Sequence, residues 1–450
     1  MSTFNITTLG CPKNIVDSQH LKRLFTSEGF VHADNLEDAD ILLINTCGFI
    51  KEAKEESIEE ILALTKLKAD SKKLIVFGCL SKRYRGELTK EIPEIDGIWG
   101  VGEEDKIIDY CKSLVISRQS TGEIKVPVAY CLSPVASSSY AYIKIAEGCD
   151  KRCTFCVIPS IRGKFRSISP EYIVKEAEEQ IRMGARELIL VAQDITNYGK
   201  ELSGYNLLYL LKDLVSLTGD FHVRLLYLYP TGIDDNLLEF IATSEKMYKY
   251  LDVPLQHSED RILRLMGRRG SQKEYRKLIR HIRRSIPEVA LRTTCIVGFP
   301  TETEEEFNGL VDFIEESGFD RLGVFKYSRE EGTPAAKLKG QVPEHVKIRR
   351  FDEIMKRQSF ISLEKNRELI GRRFEAIIDE IDGDVAIARL YSHAPEIDGV
   401  VIIEKDYESR IMGHEEPYPL HLPSSLKVGD SVTVEIVDAF DYDVKGKLLS

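Results

Sequence analysis

The sequence predicts an α/β protein in three successive parts: an N-terminal parallel α/β domain, a central partial (β/α)6 barrel and a small C-terminal OB-like β-barrel. Three observations carry this. Short apolar, β-rich runs alternate with amphipathic stretches over residues 1–118 and again over 140–370. A polar, turn-rich stretch, "QSTGEIKVPVAYCLSPVASSS" (119–139), separates the two series and reads as a linker. From residue 371 the runs are all strand-like and divided by turn signals, as in a small barrel.

In the first part, "FNITTLG", "DILLINTC" and "KLIVFGC" read as strands. "VDSQHLKRLFTSEGF" and "IKEAKEESIEEILALTKL", with apolar residues near i, i+3, i+4 spacing, read as helices between them. Strands joined by helices pair in parallel. In the second part, "YAYIKIAEGC", "ELILVAQDI", "HVRLLYLYP", "KYLDVPLQH", "ALRTTCIVGFP" and "RLGVFKYS" give six β/α units, whose reactive side is expected at the strand carboxyl ends. Residues 344–369 read as a long helix leading out. In the third part, "RRFEAIIDE", "VAIARLY", "GVVIIEK" and "SVTVEIVDAF" are the expected strands of 371–450.

With 450 residues, 43% hydrophobic and 30% charged, the chain has the composition of a globular protein with well-buried cores. No apolar stretch approaches the ~20 residues needed to span a bilayer. The N-terminus lacks a basic region followed by an apolar core, so no secretory signal and no membrane partner are expected, and the default location is cytoplasmic. Nine cysteines, an odd number in such a chain, favour metal or redox chemistry over a disulfide framework. A net charge of −11 argues against non-specific binding to nucleic acid, and suits a basic protein partner.

The stretch "AEGCDKRCTFCVIPSIRGKFRS" is the most informative. Cys149, Cys153 and Cys156 follow a predicted strand with CxxxCxxC spacing, so one short loop carries three soft thiolates. Structural zinc usually takes four protein ligands, and the next histidine in sequence is His222. A [4Fe–4S] cluster held by three cysteines instead leaves one iron open. With Phe155 before the third cysteine, the motif resembles the radical S-adenosylmethionine superfamily. That resemblance implies S-adenosylmethionine on the open iron, its reductive cleavage, and a 5′-deoxyadenosyl radical that abstracts hydrogen within a barrel that shields it.

Cys11, Cys47 and Cys79 each end a predicted strand, beside a glycine, although 36 and 32 residues separate them. The carboxyl ends of parallel strands are where ligands gather, so the three are expected to converge. One such cysteine would pass as a small core hydrophobe; three at equivalent strand ends make a second metal site the better reading. Cys111, Cys131 and Cys295 share no such pattern and read as packing residues. Three dispersed cysteines, a CxxxCxxC barrel and a trailing β-module resemble, over essentially the whole chain, the methylthiotransferase family. The resemblance implies a second [4Fe–4S] cluster on Cys11, Cys47 and Cys79, where sulfur is methylated before transfer, and a TRAM domain that recognises substrate. No stretch reads as a flavin or nicotinamide fingerprint, so the electron donor is expected to be external.

Two branches of that family differ in substrate: an adenosine of transfer RNA, or the β-carbon of an aspartate on protein twelve of the small ribosomal subunit. "LGCPKNIVDSQ", "VAQDITNYG" and "APEIDGVV" resemble the ribosomal branch. Charge agrees: residues 371–450 hold 17 Asp and Glu against 8 Lys and Arg. A module built to clasp RNA phosphates would be basic, so transfer RNA is the less expected partner. Two positions depart from the family pattern, Ile168 where a basic residue is usual and Thr301 where glycine is usual. The rival readings are the transfer-RNA enzyme and a non-enzymatic, zinc-stabilised binding protein.

Gln193 and Asp194 end the "LILVAQD" strand, and Arg224, Gln256 and Thr294 lie in or near later strands. All five are candidates for holding S-adenosylmethionine or the substrate carboxylate, or else for completing buried hydrogen bonds. His257 reads as structural. The basic stretch "LMGRRGSQKEYRKLIRHIRR" reads as a solvated helix face.

Overall fold

The structure, a computed structural model, describes residues 2–68, 71–118, 139–404, 422–423 and 425–449. The expected linker, apart from Ser139, and Cys131 lie outside the described residues. The chain forms two compact units that do not follow its order. One takes the described part of 1–133 together with 147–166 and 328–337, and the other takes the remainder.

The first unit is built on a parallel sheet whose strands lie in the order Val31–His32, Thr3–Thr8, Ile41–Thr46, Lys73–Gly78, Gly97–Ile98. All six residues of the central Ile41–Thr46 are buried, which is why its sequence is a continuous apolar run rather than an alternating one. Alternate residues feed two cores. Leu43, Ile75 and Phe77 pack with Phe4 and Phe25 on one face, and Leu42, Ile44, Leu74 and Val76 with Ile61 and Leu88 on the other. The helices Pro12–Ser27, Lys51–Leu67, Cys79–Glu91 and Glu104–Arg118 cover the sheet. The two edge strands, of two residues each, are too short to leave a periodic signal. Segment 328–337 is pinned by the buried Glu330 carboxylate, which accepts from Lys54 Nζ at 2.8 Å and Arg83 Nη1 at 2.7 Å.

The second unit holds the six expected core strands, Tyr140–Lys144, Glu187–Val191, His222–Leu225, Met247–Asp252, Ala290–Val297 and Arg321–Lys326. They pair in parallel, each beside the next in sequence, as an open sheet. A 24-residue helix, Glu344–Arg367, leads to a closed five-stranded barrel. Its strands are Arg373–Asp382, Val385–Arg389, Val401–Glu404, Ser431–Ala439 and Val444–Leu448, around a core that includes Ile378, Val401, Ile403, Val434 and Ile436. The last strand, "VKGKL", was not expected; two lysines flank its glycine and mask the alternation.

The barrel is tied to the open sheet through the segment 389–398. Tyr250 Oη donates to Asp398 Oδ2 at 2.7 Å, and Arg224 Nη1 donates to the Tyr391 carbonyl at 2.7 Å. The buried Glu187 carboxylate lies between Arg224 and Arg389, paired with both. Burial alone would push the Glu187 carboxyl up; the two guanidinium groups more than reverse that and hold it below the usual carboxylate range. No helix among the described residues is long and apolar enough to cross a membrane.

Candidate metal centre

Cys11, Cys47 and Cys79 come from the carboxyl ends of three adjacent strands, Thr3–Thr8, Ile41–Thr46 and Lys73–Gly78. Cys11 occupies the N-cap of helix Pro12–Ser27, with Pro12 at its first turn, and Cys79 opens helix Cys79–Glu91. Both cysteines therefore stand at a helix N-terminus. Cys47 is fixed by Ser57, whose hydroxyl accepts from Cys47 N and donates to Cys47 O, each at 3.0 Å.

Two glycines make room for this convergence. Gly10 has φ +96°, and a Cβ there would stand 2.8 Å from Cys47 Cβ and 3.1 Å from its Sγ. Gly78 has φ +104°, and a Cβ there would stand 2.4 Å from Asn45 Oδ1.

The three thiols feel one another electrostatically. Burial pushes the Cys79 thiol up to about 12, with the Arg162 charge pulling against it and the other two cysteines adding to it. Cys47 is likewise raised, first by burial, with Cys11 contributing. Arg162 is the residue that sequence reasoning missed. Its guanidinium is buried, with Nη2 3.5 Å from Cys79 Sγ, and it donates to Asn14 Oδ1 at 2.7 Å, Asp17 Oδ2 at 3.1 Å and Glu147 Oε1 at 3.0 Å. Burial works against this charge, yet Asp17, Cys79 and Glu147 together hold it more firmly protonated than an ordinary arginine. Asn14 also donates to the Leu9 carbonyl at 2.7 Å, tying the arginine to the strand end that carries Cys11.

Cys149, Cys153 and Cys156 lie half-buried on one loop of the same unit. Cys149 N donates to the Gly163 carbonyl and Cys156 N to the Cys153 carbonyl, each at 3.1 Å. Among the described residues no three His, Cys, Asp or Glu side chains are close enough to enclose a single ion; a four-iron cube spreads its thiolates wider than one ion does. Three soft thiolates on one loop, and three more at neighbouring strand ends with a buried cation beside Cys79, fit two such clusters in donor chemistry.

The other candidates lie in the second unit, and among them the structure joins Gln256 with Thr294. Asp194 is buried and spent on the turn that follows it, accepting from Thr196 N at 3.1 Å and Asn197 Nδ2 at 2.8 Å. Gln193, half-buried, precedes it at the end of strand Glu187–Val191. Arg224 is wholly buried between Glu187 and Tyr391, with Tyr250 stacked 4.5 Å from its guanidinium, and holds the C-terminal barrel in place. Gln256 has φ +75°, a strained conformation for a side-chain-bearing residue, and pairs with Cys295 beyond the end of strand Met247–Asp252. Thr294, half-buried in the next strand, lends its carbonyl to Gln256 N at 2.7 Å. His257 is buried, accepts from Glu259 N at 3.0 Å and lies 3.7 Å from Glu302. Thr301 has φ +70°, which is the physical reason glycine suits that position; Arg261 holds it by donating to its carbonyl at 2.7 Å.

Known proteins align with this arrangement part by part. Residues 3–100 match the uncharacterized protein family UPF0004, residues 143–314 the radical SAM superfamily and residues 370–449 the TRAM domain. The radical SAM match brings S-adenosylmethionine and a [4Fe–4S] cluster as cofactors. The chain superposes on the radical S-adenosylmethionine methyltransferase TsrM of Kitasatospora setae with a TM-score of 0.55 at 14% identity, over 83% of this chain and 79% of that one, a likeness of fold. It is 60% identical to the ribosomal protein uS12 methylthiotransferase RimO of Thermodesulfovibrio yellowstonii over the whole of both chains. It is 42% identical to the protein of that name in Geobacter sulfurreducens, over 99% of this chain and 98% of the other. With three thiols gathered at one sheet end, a CxxxCxxC loop, a TRAM barrel and identity that runs from end to end, the chain belongs to the ribosomal protein uS12 methylthiotransferase family.

Proposed function

We propose that this chain replaces a β C–H of an aspartate in ribosomal protein uS12, the small-subunit protein twelve, with a methylthio group, using two [4Fe–4S] clusters. The observation that carries the two-cluster reading is the convergence of Cys11, Cys47 and Cys79 at three neighbouring strand ends. Cys149, Cys153 and Cys156 would hold one cluster, and Cys11, Cys47 and Cys79 the other. When bound, these groups and S-adenosylmethionine would supply the electron transfer, the hydrogen-abstracting radical and the sulfur.

The protein's own residues do the rest. Arg162 keeps a fixed positive charge beside Cys79, so that anionic sulfur there is stabilised without water. Asn14, Asp17 and Glu147 hold that guanidinium in place. Gln193, Gln256 and Thr294 lie at or near strand carboxyl ends, where they are offered as contacts to S-adenosylmethionine or to the substrate carboxylate. Arg224, committed to Glu187, serves the docking of the acidic barrel, whose charge suits a basic ribosomal protein. The electron donor is external in this reading, and the place of action is the cytoplasm.

Anaerobic reconstitution and mass spectrometry test it. The wild-type chain is expected to bind about eight irons and the Cys11→Ala variant about four. In a strain lacking its own enzyme, the gene is expected to restore the methylthio mass on uS12 and leave transfer RNA unchanged. Restoration on a transfer-RNA base alone would transfer the assignment to the other branch, and stoichiometric zinc without iron would end it.

A further inference from the structure

The outer face of helix Gln272–Ser285 and the turn before it carry a charge opposite to that of the whole chain. Ten of the 24 residues 261–284 are Lys or Arg against a single Glu, within a protein of net charge −11. Tyr275, Ile279 and Ile282 anchor the helix by its buried face. Arg264, Arg269, Lys273, Lys277, Arg280 and Arg284 are exposed. Among the described residues the first five side chains form no ion pair or hydrogen bond, and Arg284 reaches only His281 Nδ1, at 3.2 Å.

A face that served only solvation would mix its signs. Here Lys273 and Lys277, Arg276 and Arg280, and Arg280 and Arg284 stand four residues apart, where like charges weaken a helix. Arg276 is quenched by Glu316, at 2.7 Å, and His281 by Asp235, at 2.6 Å, the one carboxylate in the shallow depression among Lys277, Arg280 and Arg284. Arg261 pairs with Glu306, Arg283 with Asp320, and Arg268 donates to the Pro254 carbonyl, which leaves Arg264, Arg269, Lys273, Lys277 and Arg280 bare. Topology places them usefully. Residues 253–271 leave the carboxyl end of strand Met247–Asp252, and the helix then runs back along the outside of the sheet. The basic strip therefore begins at the reactive rim of the unit, where Arg268 covers the Tyr229 ring at 4.3 Å, and descends from there.

We propose that this strip docks the phosphate backbone of ribosomal RNA, so that uS12 is modified within an RNA-containing particle. This rests on the reading of uS12 as substrate, since a ribosomal protein in its particle is surrounded by RNA. The acidic barrel would face the protein and the basic strip the RNA, a division of labour that the net charge conceals. Lys273, Lys277 and Arg280 at i, i+4, i+7 on one helix face, with Arg264 and Arg269 before it, track a regular anionic backbone through charge alone, without reading its sequence.

The test compares the holoenzyme with a variant carrying Lys273→Gln, Lys277→Gln, Arg280→Gln and Arg284→Gln, all exposed and all outside the candidate metal centre and the strand-end candidates. Two substrates are used: recombinant uS12 alone, and small subunits from a strain lacking the enzyme. The variant is expected to keep its melting temperature and to modify free uS12 at the wild-type rate. Its binding to small subunits, and to a single-stranded RNA oligonucleotide, is expected to weaken by about tenfold or more. The slope of log K against log salt should fall by about 3, the share of four phosphate contacts. Equal affinity and equal slope would overturn the proposal, as would wild-type binding to polyglutamate as tight as to RNA. If the wild type modifies uS12 in neither form, the reading of function has failed on its own, while RNA affinity and its salt slope still decide this surface.

Discussion

Cys11 is half-buried at a helix N-cap, and what makes it a ligand candidate is a neighbour with no side chain. Gly10 turns the chain at φ +96° and lets the strand end lie against Cys47. Gly10→Ala puts a methyl 2.8 Å from Cys47 Cβ in a conformation that costs about 1–3 kcal/mol. It is expected to lower the melting temperature and to bring the iron content down toward that of Cys11→Ala. Full iron content and an unchanged melt would show that the strand end tolerates the methyl. The six cysteines and the glycines beside Cys11, Cys47 and Cys79 were legible in the sequence, because strand ends can be read from apolar runs. Arg162 was not. It lies 83 residues from Cys79 in an ordinary "SIRGK", and burial, which sequence does not display, is what gives its charge importance. Its partners Asn14 and Asp17 stood in plain view in "CPKNIVDSQ", without a reason to matter until the arginine arrived.

At the scale of elements, the six central strands, the long helix and four of the five barrel strands follow from apolar periodicity. The pairing of the barrel with the sheet does not. Glu187 begins a strand and Arg224 sits within the next, so each could face a ligand; only the arrival of Arg389 and Tyr391 decides that they face the barrel. The ion pairs carry a pH signature. The folded carboxyl of Glu187 lies below its unfolded value of about 4.3, so this stabilisation is complete above that value and is lost as pH falls through the folded one. Glu187→Gln leaves the buried Arg224 without a carboxylate, while Arg389 keeps Asp379, and is expected to cost about 3–5 kcal/mol at pH 7 in urea unfolding. The gap from wild type should narrow as pH falls below about 4.3, where the unfolded chain takes up the proton that the folded carboxyl still resists. A gap that stays constant with pH would assign the loss to packing instead of charge.

For the whole molecule, the C-terminal barrel is part of the second unit's fold. Tyr142 Oη donates to the Pro395 carbonyl at 3.4 Å, and Asp398 takes the Tyr250 hydroxyl, so segment 389–398 covers aromatic and charged side chains of the sheet. A chain ending at Arg367 would expose these groups together. It is expected to bind a hydrophobic dye and to melt well below the full chain. A cooperative melt at the full-chain temperature would make the barrel a detachable appendage.

The three-part α/β architecture, the cysteine spacings and the likeness to the ribosomal branch can be read from the chain alone, because periodicity, spacing and local motifs are properties of neighbouring residues. Folding decides which distant residues share an environment: that Arg162 lies beside Cys79, that Arg224 anchors the barrel, and that exposed cations follow the carboxyl end of strand Met247–Asp252. Burial and charge pairing depend on what the rest of the chain brings alongside, and that is set only when the chain has folded.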